Sequence, residues 1–335
     1  LENYIAAALQ SVLVQTFQDF EIIIVDDGSS DETVSIIQSF HDPRIRLVSQ
    51  VNGGVSRARN AGMKKAVGAY IAFLDGDDYW YPEHLELAAD FFNRHPEILV
   101  YANRYMRDEL EAIPPRPPSY PESIRRLGIR GVLFMHPSSV ILNSSLASRL
   151  PPWEEAMPYG EDGLYWTRCM RGTGLIGLGG SVTSIYRQRA SSAMHDEHYQ
   201  HVSLHSLIAP LLNELEAMKN PKWQFAVHYL VIRELHPKRL LSLNAEERIS
   251  LTGRIRKIMH PCLNRLFLDS YMKACSARAG MEQSFSALMD RTMFSCKWLD
   301  RLERMGRSLF FRLQTNNGME SKHQDLSLIH ISEPT

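Results

Sequence analysis

Two short runs constrain this chain more than any other feature. Glu21-Ile22-Ile23-Ile24-Val25 and Ala69-Tyr70-Ile71-Ala72-Phe73-Leu74 are apolar and rich in β-branched or aromatic residues. Each ends in carboxylates around a glycine, Asp26-Asp27-Gly28 in one case and Asp75-Gly76-Asp77-Asp78 in the other. Continuous apolar runs of this kind read as strands buried on both faces, as in parallel sheets covered by helices. Helical patterns surround them. Tyr4 to Phe17 sets Ile5, Leu9, Val12 and Leu13 on one face and ends near Gln15-Thr16; Thr33 to Phe40 and Ser56 to Val67 repeat the pattern, with a strand over Arg44 to Ser49 between them. This alternation predicts an α/β fold with a largely parallel sheet. Ligands of such sheets bind beyond the carboxyl ends of the strands, so the two acidic turns are expected to share one cleft.

Further along, Pro82 to Asn93 reads as a helix with Pro82 in its first turn. Ile98 to Asn103 and Ser138 to Leu142 read as strands, and the Pro-rich Ala112 to Tyr120 as a loop. A helix over Leu164 to Met170 follows Gly160-Glu161-Asp162-Gly163, and Leu175 to Tyr186 supplies one or two short strands. From His198 to about Gln314 the pattern is helical with no strand signal, no repeats and no heptads. The chain opens on Leu1 in what reads as a helix, so an earlier segment is expected to be missing. Leu326 to Thr335 resembles translated adapter or vector sequence and is expected to stay outside the fold.

With 44% hydrophobic and 22% charged residues, the composition is that of a globular protein able to bury a substantial core. The formal net charge of -1 gives no whole-chain field for nucleic acid. Charge is uneven: Lys222 to Arg312 holds about twice as many Lys and Arg as Asp and Glu. Cys169, Cys262, Cys275 and Cys296 lack metal or disulfide spacing and read as buried or free thiols in a reducing compartment. No apolar stretch reaches the roughly 18 residues that span a bilayer, and no signal peptide is visible. A soluble or peripherally attached cytoplasmic protein is expected.

Three carboxylates crowded at Asp75, Asp77 and Asp78 repel one another unless solvent, basic partners or a divalent cation neutralises them. A metal site and a solvated acidic turn therefore both remain open on this turn alone. The wider pattern narrows the choice. Val25-Asp26-Asp27-Gly28-Ser29, Asn52-Gly53-Gly54 leading into Ala58-Arg59-Asn60, Phe73-Leu74-Asp75-Gly76-Asp77-Asp78 and Gly160-Glu161-Asp162 stand in the order and approximate spacing of the family 2 glycosyltransferases. Tyr4 to Phe17 resembles the first helix of that family, and the likeness covers about residues 1 to 190.

The resemblance implies a GT-A fold, Rossmann-like with a mainly parallel mixed sheet and a helical C-terminal region. It implies a catalytic domain over 1–195 that lacks the family's first strand, a helical region over 196–315, and a disordered or non-native tail over 316–335. The implied reaction is inverting transfer of a sugar from a nucleoside diphosphate sugar, UDP-linked or related, to a hydroxyl of a saccharide or lipid-linked acceptor in surface polysaccharide or glycolipid assembly. Asp26 or Asp27 would accept the imide hydrogen of a uracil or thymine, one of the two serving instead as a cap or turn residue. Asp77, helped by Asp75 or Asp78, resembles the family's ligand for Mg2+ or Mn2+, and Asp75 also stands among the nucleotide contacts. Arg59 would contact phosphate or brace the acidic loop. Asp162 is the candidate general base and Glu161 its alternative; adjacent carboxylates at a helix start also complement the dipole.

The chain departs from the pattern at Tyr186-Arg187-Gln188-Arg189, where the family often carries Tyr-Arg-x-His. Arg187 and Arg189 become candidate diphosphate contacts, or His195 reaches back. His195, His198, His201 and His205 form a row read as a solvated face, with a zinc site the less favoured alternative. The basic helices of Lys222 to Arg312 read as an appendage on the catalytic domain, with peripheral contact to an anionic membrane as the alternative. Two rival functions stand beside the transferase: a nucleotidyltransferase, and a non-catalytic nucleotide-binding relative.

Overall fold

The computed structural model describes residues 1–108, 113–125, 135–157, 159–188, 204–217, 227, 230–231, 243–258 and 326–332. Its centre is one sheet. The strands are β1 (Phe20–Asp26), β2 (Ile45–Ser49), β3 (Tyr70–Asp75), β4 (Tyr79–Trp80), β5 (Val100–Asp108), β6 (Ser123–Arg125), β7 (Val140–Asn143), β8 (Ile176–Arg187) and β9 (Leu326–Ser332). They lie in the order β2-β1-β9-β3-β7-β5-β8-β4, with β6 also paired to β8. β2, β1, β9 and β3 run parallel, and β5 and β8 are parallel to each other. β7 is antiparallel to both β3 and β5, so it alone reverses the direction in the middle of the sheet.

Both faces of β1 are covered, as its continuous apolar run requires. Ile22 and Ile24 enter one core and Ile23 and Val25 the other, because successive side chains alternate across the sheet. All four are fully buried, each worth about 1.5–3 kcal/mol over an exposed position. On the first face pack α1 (Ile5–Leu13) and α4 (His84–Arg94). The second face takes α3 (Val55–Lys65), α6 (Glu161–Thr173) and α7 (Leu204–Ala217). The remaining described helices are α2 (Thr33–Gln38), the single turn α5 (Ser144–Ala147) and α8 (Ala245–Ile258).

Gln15 locks α1 to the segment before α4. Its amide donates to Ser11 O and Tyr81 O, and its carbonyl accepts from Leu85 N, so a buried polar side chain satisfies three backbone groups. Cys169 is a buried free thiol, whose pKa burial pushes up. Among the described residues no helix is long and apolar enough to cross a membrane.

Three differences from expectation stand out. Leu175 to Tyr186 forms one 12-residue strand, because β8 pairs with β5, β4 and β6 along its length. The two-residue β4 and three-residue β6 are too short to carry a periodic signal. The third is a correction. Residues 326–332, expected in a disordered or non-native tail, form β9 in the centre of the sheet. The physical reason is edge pairing: β1 and β3 would otherwise present two rows of unpaired backbone groups toward each other, and β9 satisfies both. Of the helical stretch expected from His198 to Gln314, the described parts are α7, α8 and a few residues near them. The remainder, with Cys262, Cys275, Cys296 and most of the basic segment, lies outside the described residues.

Candidate active site

Strand direction gathers the site. β1 ends at Asp26 and β3 at Asp75, while the ends of β5 and β8 pair through Asp108 and Arg187. Because β7 runs the other way, its amino end lies at this same edge. The segment from His136 through the 3-10 turn Pro137–Ser139 is thereby set beside the acidic turn after β3.

At the end of β1 the two aspartates have different work. Asp27 is 1% exposed and accepts from Gln50 Nε2 at 2.7 Å, Gly54 N at 2.7 Å and Gly53 N at 3.0 Å. It therefore anchors the Asn52-Gly53-Gly54 turn that starts α3. Asp26 Oδ1 accepts from Ser29 N at 3.0 Å, an Asx-type turn that uses one of its oxygens. Gly28 between them holds φ at +83°, and a Cβ there would stand 3.1 Å from Asn52 N. Only glycine suits both constraints.

The Ala58-Arg59-Asn60 triplet of α3 turns three ways. Ala58 is buried in the core, and Asn60 pins the loop at Trp153 by accepting from its N and donating to its O. Arg59, 2% exposed, donates to Asp75 Oδ1 at 3.0 Å and to Glu161 Oε1 at 2.8 Å, with its guanidinium 4.5 Å from the Trp153 ring centre. Burial alone would lower the Arg59 pKa, but the carboxylates of Asp75 and Glu161 outweigh it and the net shift is upward. Arg59 thus contacts a carboxylate on each side. One buried cation ties the end of β3 to the start of α6.

Glu161 begins α6 after Gly160, which adopts the left-handed conformation at φ 76°. Its pKa is pushed up to about 7, first by burial and then by the neighbouring Asp162, with Arg59 opposing. Asp162 Oδ1 accepts from Gly163 N at 2.6 Å.

The β3 turn is held from two sides. Asp78, 1% exposed, accepts from Arg187 N at 3.0 Å and from Ser138 Oγ at 2.5 Å, and Ser138 Oγ in turn accepts from Asp75 N at 3.1 Å. Burial, followed by Asp77 and Asp75, drives the Asp78 pKa well above the usual carboxylate range. Arg187 Nε donates to Asp77 O at 2.8 Å, and its guanidinium lies 4.9 Å from the Tyr4 ring centre. Arg187, a candidate diphosphate contact, thus lies against the acidic turn. Arg189, His195, His198 and His201 lie outside the described residues, and of His205 only the backbone of α7 is described.

Sequence reasoning selected Asp77 for a metal, helped by Asp75 or Asp78. The structure brings together Asp75, Asp78 and His136, whose candidate ligand atoms all lie within 4.8 Å of one another. His136 Nδ1 is buried without a hydrogen-bond partner, 3.5 Å from Asp78 Oδ2. Burial lowers the His136 pKa, against the pull of Asp75 and Asp162. Hard carboxylate oxygens beside an orphaned buried imidazole nitrogen fit a divalent cation. No local motif marks His136; its place follows from the reversal of β7.

The family model described as Glycosyl transferase family 2 matches residues 2–148. A UDP-Glc:alpha-D-GlcNAc-diphosphoundecaprenol beta-1,3-glucosyltransferase of Escherichia coli is 30% identical over 197 residues, covering 57% of this chain and 74% of that protein. An uncharacterized glycosyltransferase of Rickettsia felis is 42% identical over 104 residues, 30% of this chain. The chain spans only 17% of that Rickettsia felis protein and 24% of a Bacillus subtilis relative. Among solved structures, residues 1–349 of S. aureus TarS in complex with UDP-GlcNAc superpose with a TM-score of 0.60 at 19% identity, over 88% of this chain and 89% of that one. That likeness gives the fold as GT-A. With the glucosyltransferase matched over most of its length and four acidic or glycine-bearing motifs meeting at one sheet edge, the chain belongs to glycosyltransferase family 2.

Proposed function

We propose that the chain transfers a sugar from a UDP-sugar to a hydroxyl of a saccharide or lipid-linked acceptor, with inversion at the anomeric carbon. The observation that carries this reading is the Arg59 bridge, which joins the β3 acidic turn to the Glu161-Asp162 helix start 102 residues away. It sets a carboxylate pair across from the turn suited to a diphosphate. The Escherichia coli relative named for a UDP-glucose donor and the TarS complex with UDP-GlcNAc support the donor class. Glycolipid or polysaccharide synthesis follows from the diphosphoundecaprenol acceptor named for that relative.

Asp26 is assigned the imide hydrogen of the base, since Asp27 is spent on the turn into α3. Asp75, with Asp77 or Asp78, would hold Mg2+ or Mn2+ near the diphosphate. Such a cation supplies charge neutralisation for the departing diphosphate. Glu161 is occupied by Arg59, which leaves Asp162 as general base. Asp162 takes the acceptor hydroxyl proton, the acceptor oxygen bonds to the anomeric carbon, and the bond to the diphosphate oxygen breaks with its electron pair leaving on the phosphate. Attack opposite the leaving group inverts the configuration. The basic segment beyond residue 222 would meet a membrane that carries such an acceptor.

Calorimetric titration of UDP with and without Mn2+ tests the donor site, beside Asp77→Asn. Binding that requires the cation and is weakened by the substitution is expected. Tight UDP binding indifferent to both would remove the acidic turn from the site. The anomeric coupling of the product by proton NMR tests inversion, and retention would refute Asp162 as the base.

A further inference from the structure

The reversal of β7 carries a consequence for the acidic turn. His136, delivered by the segment ahead of β7, has a candidate ligand atom within 4.8 Å of those of Asp75 and Asp78. We propose that His136 is a nitrogen ligand, through Nδ1, of the divalent cation held by Asp75 and Asp78. This rests on the cation reading given above and adds a residue and a metal preference to it.

Three independent features converge. The first is distance: Nδ1 and Asp78 Oδ2 are 3.5 Å apart. That is too long for a hydrogen bond, and it is near the separation of about 3 Å expected for two ligands about 2.1 Å from one ion and at right angles. The second is an unmet donor or acceptor. Nδ1 has no hydrogen-bond partner although it is buried, a desolvated state that a bound ligand would relieve. The third is orientation. The ring lies between Tyr105 and Tyr186, with centroids 5.3 Å and 4.5 Å away, so it is held at the turn by packing.

The opposite side of the site is equally fixed. Ser138, two residues after His136, joins Asp75 N to Asp78 Oδ2, so the segment that delivers the imidazole also positions both carboxylates. A mixed nitrogen and oxygen set favours transition ions over Mg2+, which prefers oxygen ligands and retains water. His136 thus biases the site toward Mn2+.

Mn2+ bound to the chain gives a direct spectroscopic readout in pulsed EPR, where a coordinated imidazole produces nitrogen modulation. The expected result is nitrogen modulation in the unaltered protein and its loss in His136→Phe. Mn2+ affinity in that variant should fall about tenfold while Mg2+ affinity changes little. His136→Gln, smaller and still polar, guards against a folding artefact, with circular dichroism as the check on both. Bound Mn2+ without nitrogen modulation, or unchanged Mn2+ affinity in both folded variants, overturns the assignment. Asp75→Asn separates the two readings: Mn2+ binding lost in that variant but free of nitrogen modulation in the unaltered protein sinks His136 alone. Mn2+ binding that persists in Asp75→Asn, or that is absent from the unaltered protein, sinks the cation site itself and His136 with it.

Discussion

Replacing Arg59 by Met tests the central brace. The side chain is 3% exposed and lies between Asp75 at 3.0 Å and Glu161 at 2.8 Å, so its loss strands two carboxylates around a buried space. Met retains much of the aliphatic stem, which isolates the charge from the packing. Removing one partner of a buried pair costs about 3–5 kcal/mol, which at 2–4 °C per kcal/mol is a fall in melting temperature of about 10 °C. The pH dependence gives the sharper test. Burial and then Asp162 push the Glu161 pKa up to about 7 from an ordinary 4.5, against the pull of Arg59. A carboxyl raised in the folded state gives stability that is complete below about 4.5 and is lost as pH rises through about 7, a difference of about 3 kcal/mol. Without Arg59 the folded-state pKa of Glu161 rises further. The deficit of Arg59→Met should therefore shrink at pH 5.5 and widen at pH 8 when followed by scanning calorimetry. Adding Glu161→Gln and Asp75→Asn should recover most of it. A deficit under about 1 kcal/mol, or one that does not change with pH, would refute the buried triad.

The remaining predictions address the other parts of the site and fold. Asp27→Ala should lower stability by about 2 kcal/mol through loss of its turn contacts, whereas Asp26→Ala should leave stability nearly unchanged and weaken UDP binding; denaturant melts and calorimetry separate them. Asp162→Asn should reduce kcat by at least about a hundredfold with UDP affinity preserved, and a variant of ordinary turnover would dismiss it as the base. Gly177→Ala puts a Cβ 2.2 Å from the Phe91 ring and should cost about 1–3 kcal/mol, read by chemical denaturation. Deleting residues 326–335 opens the facing edges of β1 and β3, so a lower melting temperature and concentration-dependent association are expected. Unchanged melting would take β9 out of the sheet.

Much of the parallel half was legible because its signals are local. Continuous apolar runs named β1 and β3, helical periodicity named α1 to α4, and the acidic turns fell at strand ends where a parallel sheet places ligands. The division of labour within the motifs was not legible. Asp26 and Asp27 are adjacent and chemically identical, and only the position of the Gly53-Gly54 backbone decides that Asp27 is the anchor. Arg59 is equally suited to phosphate or carboxylate until Glu161 arrives from 102 residues away.

The sequence by itself determined the α/β class, the strand ends that carry carboxylates, and the family whose ordered motifs these are. Tertiary structure decided the contacts that span the sheet: Arg59 to Glu161, Asp78 to Arg187 N, and His136 beside Asp75 and Asp78. The reason is that residue pattern encodes burial and backbone propensity over a few neighbours. The direction of β7, which brings His136 to the cleft, is set by its pairing with β3 and β5.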